Sequence, residues 1–184
     1  MGSRFRPYLT FWGVAVAALA ADLWTKWLVA RHLPFNTYFP EADGTGPWQL
    51  LPRLWIVHVG NKGAAWGLGS DHDVRPFLVL LALAVLFGVW RWRHALLREL
   101  RGGQLAFGLF VGGTLGNVRD RVLGDHVVDF IDVHLPYYRF PAFNVADACI
   151  CVGVGLYLWM SYRQDGERRA ALASHAGEDV PPAP

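Results

Sequence analysis

Two aspartates stand in apolar surroundings: Asp129 within Val127-Val128-Asp129-Phe130-Ile131, and Asp147 closing Phe143-Asn144-Val145-Ala146-Asp147 at the head of a long hydrophobic run. Taking an unpaired carboxylate out of water is costly, so an acid at membrane depth is read first as functional. Two of them, eighteen residues apart and flanking a short loop, suggest a pair that shares one proton. Such a pair suits acid and base chemistry on a water and a carbonyl.

The elements that must position them are set by the solvent. Of 184 residues 53% are hydrophobic and 17% charged, with 9 Trp and 11 Phe, whereas soluble chains average about 25% charged. The composition is that of an integral membrane protein, and the length allows one domain. A net charge of +2 is too small to argue for nucleic acid.

A bilayer core needs about 20 helical residues. Four segments qualify: Tyr8 to Ala30, Pro76 to Trp92, Gln104 to Leu123 and Ala142 to Tyr162. The expected fold class is therefore an all-α integral membrane protein with four transmembrane helices, a small extracytoplasmic β-containing segment and a short interfacial helix. Arg4 and Arg6 precede the first span, Arg91, Arg93, Arg98 and Arg101 fill the middle link, and Arg163, Arg168 and Arg169 follow the last. By the positive-inside rule both termini and the middle link are cytoplasmic. The first span is read as uncleaved, since its apolar character resumes past Asp22 and a signal peptide core is only about 7 to 15 residues.

The third span is purely apolar only from Leu105 to Val118, so crossing carries Asn117, Asp120 and Arg121 into the outer membrane zone. Asp22 and Lys26 fall at the same depth on the first span, and Asn144 and Asp147 on the fourth. Asp22 with Lys26, Asn117 with Arg121, and Asn144 with Asp147 each share a helix face. An inward-facing polar site results. Asp22 with Lys26, and Asp120 with Arg121, read equally well as structural ion pairs, whereas Asp129 and Asp147 have no adjacent base. Gly108, Gly112 and Gly116 are small-xxx-small steps that admit a neighbouring helix.

The link from Arg31 to Arg75 lies outside. Trp48 to Val59 reads as a short strand meeting a turn at Gly60-Asn61-Lys62-Gly63, and Ala64 to Leu68 as the interfacial helix. Residues 1–165 form the membrane domain, and 166–184 a disordered cytoplasmic tail. Cys149 and Cys151, at i,i+2, face apart on a helix and read as packing. The seven histidines show no ligand spacing, so neither metal nor cofactor is expected. No serine nucleophile and no phosphate loop is present.

Five ordered sets now become specific: Asp22-Leu23-Trp24-Thr25-Lys26, Asn61-Lys62-Gly63-Ala64-Ala65-Trp66-Gly67, Gly112 to Arg121, Val127-Val128-Asp129-Phe130, and Phe143-Asn144-Val145-Ala146-Asp147. Together they resemble the motifs of the lipoprotein signal peptidase (signal peptidase II) family. The resemblance implies a bacterial four-helix aspartyl endopeptidase of the inner membrane that cleaves diacylglyceryl-modified prolipoproteins before the lipid-bearing cysteine. It implies Asp129 and Asp147 as the catalytic pair, and Asn61, Gly112, Asn117, Arg121 and Asn144 as residues that line the site or position substrate. Asp22 and Lys26 lend support. Its implied partners are prolipoproteins, membrane lipids and globomycin-type inhibitors, with the enzyme a monomer and its active site near the extracytoplasmic face. Leu23, Lys62, Trp66 and Thr114 depart from frequent family residues without touching the acids.

A small proton-coupled transporter or channel is the alternative, since intramembrane Asp, Lys and Arg can form a relay. Internal repeats with broken helices would mark one. None is visible, and the polar groups stop at one side.

Overall fold

The computed structural model describes residues 6–39, 46–63, 73–98 and 102–178. Helix α1 (Arg6–His32) buries Phe11, Ala15, Ala18, Asp22, Lys26 and Val29. Their three- and four-residue spacing draws one stripe along a helix. That stripe is apolar for its first half and charged where it meets the site.

The chain then forms β1 (Trp48–Leu51), β2 (Leu54–Asn61), α2 (Arg75–Arg91), α3 (Arg93–Arg98), α4 (Gly103–Leu123), β3 (Val127–Leu135), β4 (Tyr138–Arg139) and α5 (Val145–Glu178). Helix α4 is the central strut, packed between α1 and α5. Its glycines make that possible. A Cβ on Gly112 would strike the Ala15 carbonyl oxygen of α1, while one on the adjacent Gly113 would lie 2.5 Å from the Ala146 carbonyl oxygen of α5. Neighbouring positions thus bring two backbones against α4 from different sides, which only small residues permit.

Helix α2 is different. It opens with Pro76 in its first turn, where a missing N–H loses nothing, and it leans on α4 with no residue buried. Phe77, Leu80, Leu81, Phe87 and Trp90 all lie exposed. An apolar surface of that extent needs lipid or a partner. By length and composition, Tyr8–His32 and Val145–Leu172 are each sufficient to cross a membrane.

The four strands form one antiparallel sheet in the order β1-β2-β3-β4. Val59 lies opposite Asp129 and Asn61 opposite Val127, with a bulge between Ile56 and Val59. A bulge bends its strand and re-aims the side chains beside it. Val29, Leu33 and Phe130 join Ile56, Val128, Ile131 and Val145 in an apolar cluster that seats the sheet on the ends of α1 and α5. Main-chain bonds between Phe143 and Ile131 fix the approach to α5: Ile131 N to Phe143 O is 2.8 Å, and the return bond is 3.0 Å.

The structure corrects several expectations. The sheet is larger than one strand over Trp48 to Val59, because Val127–Leu135, between the third and fourth expected spans, is rich in β-branched residues and pairs with β2. Asp129 therefore sits on a strand. The middle link contains α3. Residues 166–178, expected to be disordered, continue α5 as helix; Glu167, Arg168, Arg169, Ala170, Ala171 and Leu172 are strong helix formers extending a helix already nucleated. The interfacial helix over Ala64 to Leu68 lies outside the described residues.

Candidate active site

The chain ahead of α5 ends in Asn144, whose Oδ1 accepts the backbone N–H of Asp147 at 3.0 Å, while the Asp147 carboxylate accepts the Asn144 N–H at 3.1 Å. This reciprocal pair is a capping box with Asp in the place of Glu. It satisfies the open end of the helix and locks the Asp147 side chain against its own first turn. The same Asn144 turns its Nδ2 to Asp129 Oδ1 at 2.7 Å. One carboxamide, 0% exposed, thereby links the two acids across β3 and α5.

Each acid has a further amide donor. Asn61, at the end of β2, donates to the other oxygen of Asp129 at 3.0 Å, and its own Oδ1 is held by the Gly63 N–H. Asn117, on α4, donates to Asp147 Oδ1 at 2.7 Å. Its Oδ1 receives Asn144 Nδ2 and Lys26 Nζ, both at 3.1 Å. Asn144 Nδ2 also lies 3.3 Å from the Val128 carbonyl oxygen. Three asparagines from three elements surround the pair.

Behind them lies a charge cluster. Lys26 Nζ is 2.8 Å from both Asp22 Oδ2 and Asp120 Oδ2, and Asp22 Oδ1 accepts the Ala146 N–H at 2.9 Å. Asp22 thus serves α5 as a second cap from another helix. The pairing expected between Asp120 and Arg121 is not the one formed: Asp120 turns to Lys26 and to Arg119, at 3.4 Å. Arg121 instead holds the Gly63 carbonyl at 3.0 Å and the Asn117 carbonyl at 3.4 Å. Adjacent helical residues point apart, so Asp120 faces in and Arg121 sideways.

Of the residues singled out from sequence, Asp22, Lys26, Asn61, Asn117, Arg121, Asp129, Asn144 and Asp147 are joined in one bonded network. Gly112 is not among them, because it lies one turn further down α4 against Ala15 and Ala18. Asp132 escaped notice. It is buried on β3, paired with Arg139 of β4 and with His134 at 2.9 Å, and Arg139 stacks over Tyr38 and Phe39. Burial pushes the Asp132 carboxyl up, but the hydrogen bonds from Arg139 and His134 outweigh it and hold it below the usual range. The available signal was a second acid, Asp132, within the same β-branched run Val127-Val128-Asp129-Phe130-Ile131-Asp132-Val133.

Asp129 is 3% exposed, and burial, reinforced by the charge of Asp147, raises its pKa to about 7 despite the Asn61 and Asn144 donors. It therefore holds a proton near neutrality. Asp147 is only half-buried. The arrangement offers a proton donor and a half-buried acceptor bridged by one carboxamide, the equipment for activating water against a carbonyl. An open pocket of about 490 Å³ lies between the start of α2 and the end of α4, lined by residues including Asp73, Arg75, Val79, Arg121, Leu123 and Asp125; of the bonded network only Arg121 reaches it.

Residues 14–163 match the family model described as signal peptidase (SPase) II. The chain is 38% identical over 161 residues to the lipoprotein signal peptidase of Syntrophotalea carbinolica, covering 86% of this chain and 93% of that one. It is 33% identical over 168 residues to the lipoprotein signal peptidase of Halalkalibacterium halodurans, covering 91% and 100%. A bacterial membrane enzyme solved at 2.3 Å superposes with a TM-score of 0.69 at 28% identity, over 84% of this chain and 88% of that one.

The raised acid makes stability pH-dependent. Folded Asp129 keeps its proton to a pH of about 7, while the unfolded chain releases it near 4. The folded state binds more protons in that window, so stability falls as pH rises through it. The thermal unfolding midpoint in detergent should drop between about pH 4 and 7, and Asp129→Asn should remove most of that slope. A midpoint that rises over the same window, or a slope unchanged in Asp129→Asn, would contradict the assignment.

Proposed function

The chain belongs to the signal peptidase II family, and from that premise we infer that it is a membrane aspartyl endopeptidase that removes signal peptides from diacylglyceryl-modified prolipoproteins, cutting before the lipid-bearing cysteine. The observation that carries the reading is the bridge from Asp129 through Asn144 to Asp147. Asp129, whose proton is retained to near neutrality, acts as the acid on the scissile carbonyl oxygen. Asp147, the more accessible of the two, takes a proton from the attacking water. When the tetrahedral intermediate collapses, the C–N bond breaks, Asp147 passes that proton to the leaving amine, and Asp129 recovers its own from the intermediate's hydroxyl as the carbonyl re-forms. Asn61, Asn117 and Asn144 hold the carboxyls rather than the substrate, since their amides are spent on Asp129, Asp147 and one another. Arg121 and Gly63 stand at the rim.

The cavity beside Arg121 supports a lipid-anchored substrate. Val79, Val122 and Leu123 give it apolar wall, Arg121 stands at one end, and Arg75 at the other is already paired with Asp73 and Asp125. Two acyl chains add about 0.8 kcal/mol for each buried CH₂ to anchoring in the leaflet. The lipid thus delivers the cleavage site to the depth of the acids, and a globomycin-type inhibitor would occupy the same place. A proton-coupled transporter finds no support among the relatives.

We place the enzyme in the bacterial inner membrane with four spans, α1, α2, α4 and α5, although α2 at 17 residues rises only about 25 Å. Arginines around the first span, the α2–α4 link and the end of the last span favour cytoplasmic termini and an extracytoplasmic sheet.

Purified enzyme should cut a diacylglyceryl-modified prolipoprotein, leave the unmodified precursor essentially intact, tolerate EDTA and be blocked by globomycin. Asp129→Asn and Asp147→Asn should each lower cleavage by about 10²- to 10⁴-fold. Near-normal activity in either variant would end the two-aspartate mechanism, and equal cutting of both precursors would end the lipid dependence alone. For topology, reporter fusions should place both termini and Arg98 in the cytoplasm and Pro136 outside; a cytoplasmic Pro136 would invert the arrangement.

A further inference from the structure

Lys26 is 4% exposed, and its ammonium has three neighbours. Two are the carboxylates of Asp22 and Asp120, each 2.8 Å away. The third is Asn117 Oδ1, which does receive a hydrogen bond. We propose that Lys26 is a positioning residue of the catalytic pair: held by Asp22 and Asp120, it fixes the Asn117 amide in the one orientation that donates to Asp147. The inference rests on the reading of Asp129 and Asp147 as that pair.

Donors and acceptors decide the orientation of Asn117. An asparagine amide has a donor end and an acceptor end of nearly equal shape, and the network decides which way it points. At Asn117 the acceptor end faces Lys26 and Asn144, and the donor end faces Asp147. Flipping it would aim N–H at an ammonium and a carbonyl oxygen at a carboxylate. An ammonium has no acceptor capacity, so it forbids the flip outright. Asn144 pulls in the same direction, but its Nδ2 is divided among Asn117, Val128 and Asp129. Lys26 has three N–H donors for its three acceptors, so one can be given to Asn117 while Asp22 and Asp120 hold the others.

The cluster has a second hold on the pair. Asp22, which anchors Lys26, also accepts the Ala146 N–H beside Asp147. One ion pair on α1 therefore fixes both the amide on α4 and the backbone on α5 that flank the same carboxylate. No substrate contact is required of Lys26.

The test is a double-mutant cycle on turnover with a diacylglyceryl-modified prolipoprotein: wild type, Lys26→Met, Asn117→Ser and the double variant, each checked for cooperative thermal unfolding in detergent. Lys26→Met should lower kcat by about 10²-fold and leave KM within about threefold. In the Asn117→Ser background it should cost nothing further, because the amide it orients is gone. Should Lys26→Met not fold, the charge-balanced Lys26→Met/Asp120→Asn form replaces it in the same cycle. Wild-type kcat in the folded variant, or losses that multiply in the cycle, would overturn the proposal. Asp129→Asn and Asp147→Asn run alongside: activity there defeats the catalytic pair itself, whereas inactive acids with a fully active Lys26→Met defeat only the positioning role.

Discussion

Asn144 has two polar ends and both are committed, its Nδ2 to Asp129 and its Oδ1 to the backbone N–H of Asp147. The residue that caps α5 therefore also sets the spacing of the two acids. Helix start and active site cannot be altered separately. The sheet enters the same arrangement through Phe143, whose main chain pairs with Ile131 two residues beyond Asp129. A strand, a cap and a helix are thus brought into register within a few residues of chain.

Placing so many polar groups among apolar helices is possible because the carboxylates, the ammonium and the carboxamides partner one another. Breaking a buried ion pair by removing one member costs about 3 to 5 kcal/mol, since a bare charge is left behind. The Asp22–Lys26–Asp120 cluster is of that kind. The exposed contacts of Arg75 with Asp73 and Asp125 are not, and contribute little. Close approach of the helices is the other condition, and it is met by Gly112 and Gly113 on α4. Without them, α1 and α5 would stand too far apart for Asp22 to reach the Ala146 N–H.

Much of this was legible in the residues. The helices lie where apolar runs placed them, and the i,i+4 spacing of Asp22 and Lys26 gave their ion pair. Asn144 and Asp147 three apart, ahead of an apolar run, carry a capping-box signature. Other features depend on neighbours that sequence does not name. Asp120 could pair with Arg121 or with a distant lysine, and only the packing of α1 on α4 selects Lys26. Val127 to Leu135 lies partly buried on both faces, so it lacks the alternation of a half-exposed strand. Gly112 sits in a motif with site residues but serves helix packing, one turn below them. The segment 166–178 shows the reverse error, because polar composition was read as disorder where an established helix simply continues.

The most direct measurement separates the two duties of Asn144. A serine there can still cap α5, since Ser and Asn are equivalent caps, but its short hydroxyl cannot reach across to Asp129. Asn144→Ser should fold with a thermal midpoint within a few degrees of wild type and lose prolipoprotein cleavage by about 10²-fold or more. Folded Asn144→Ser that cleaves at the wild-type rate would show that the carboxamide bridge is not what holds the two acids in working order.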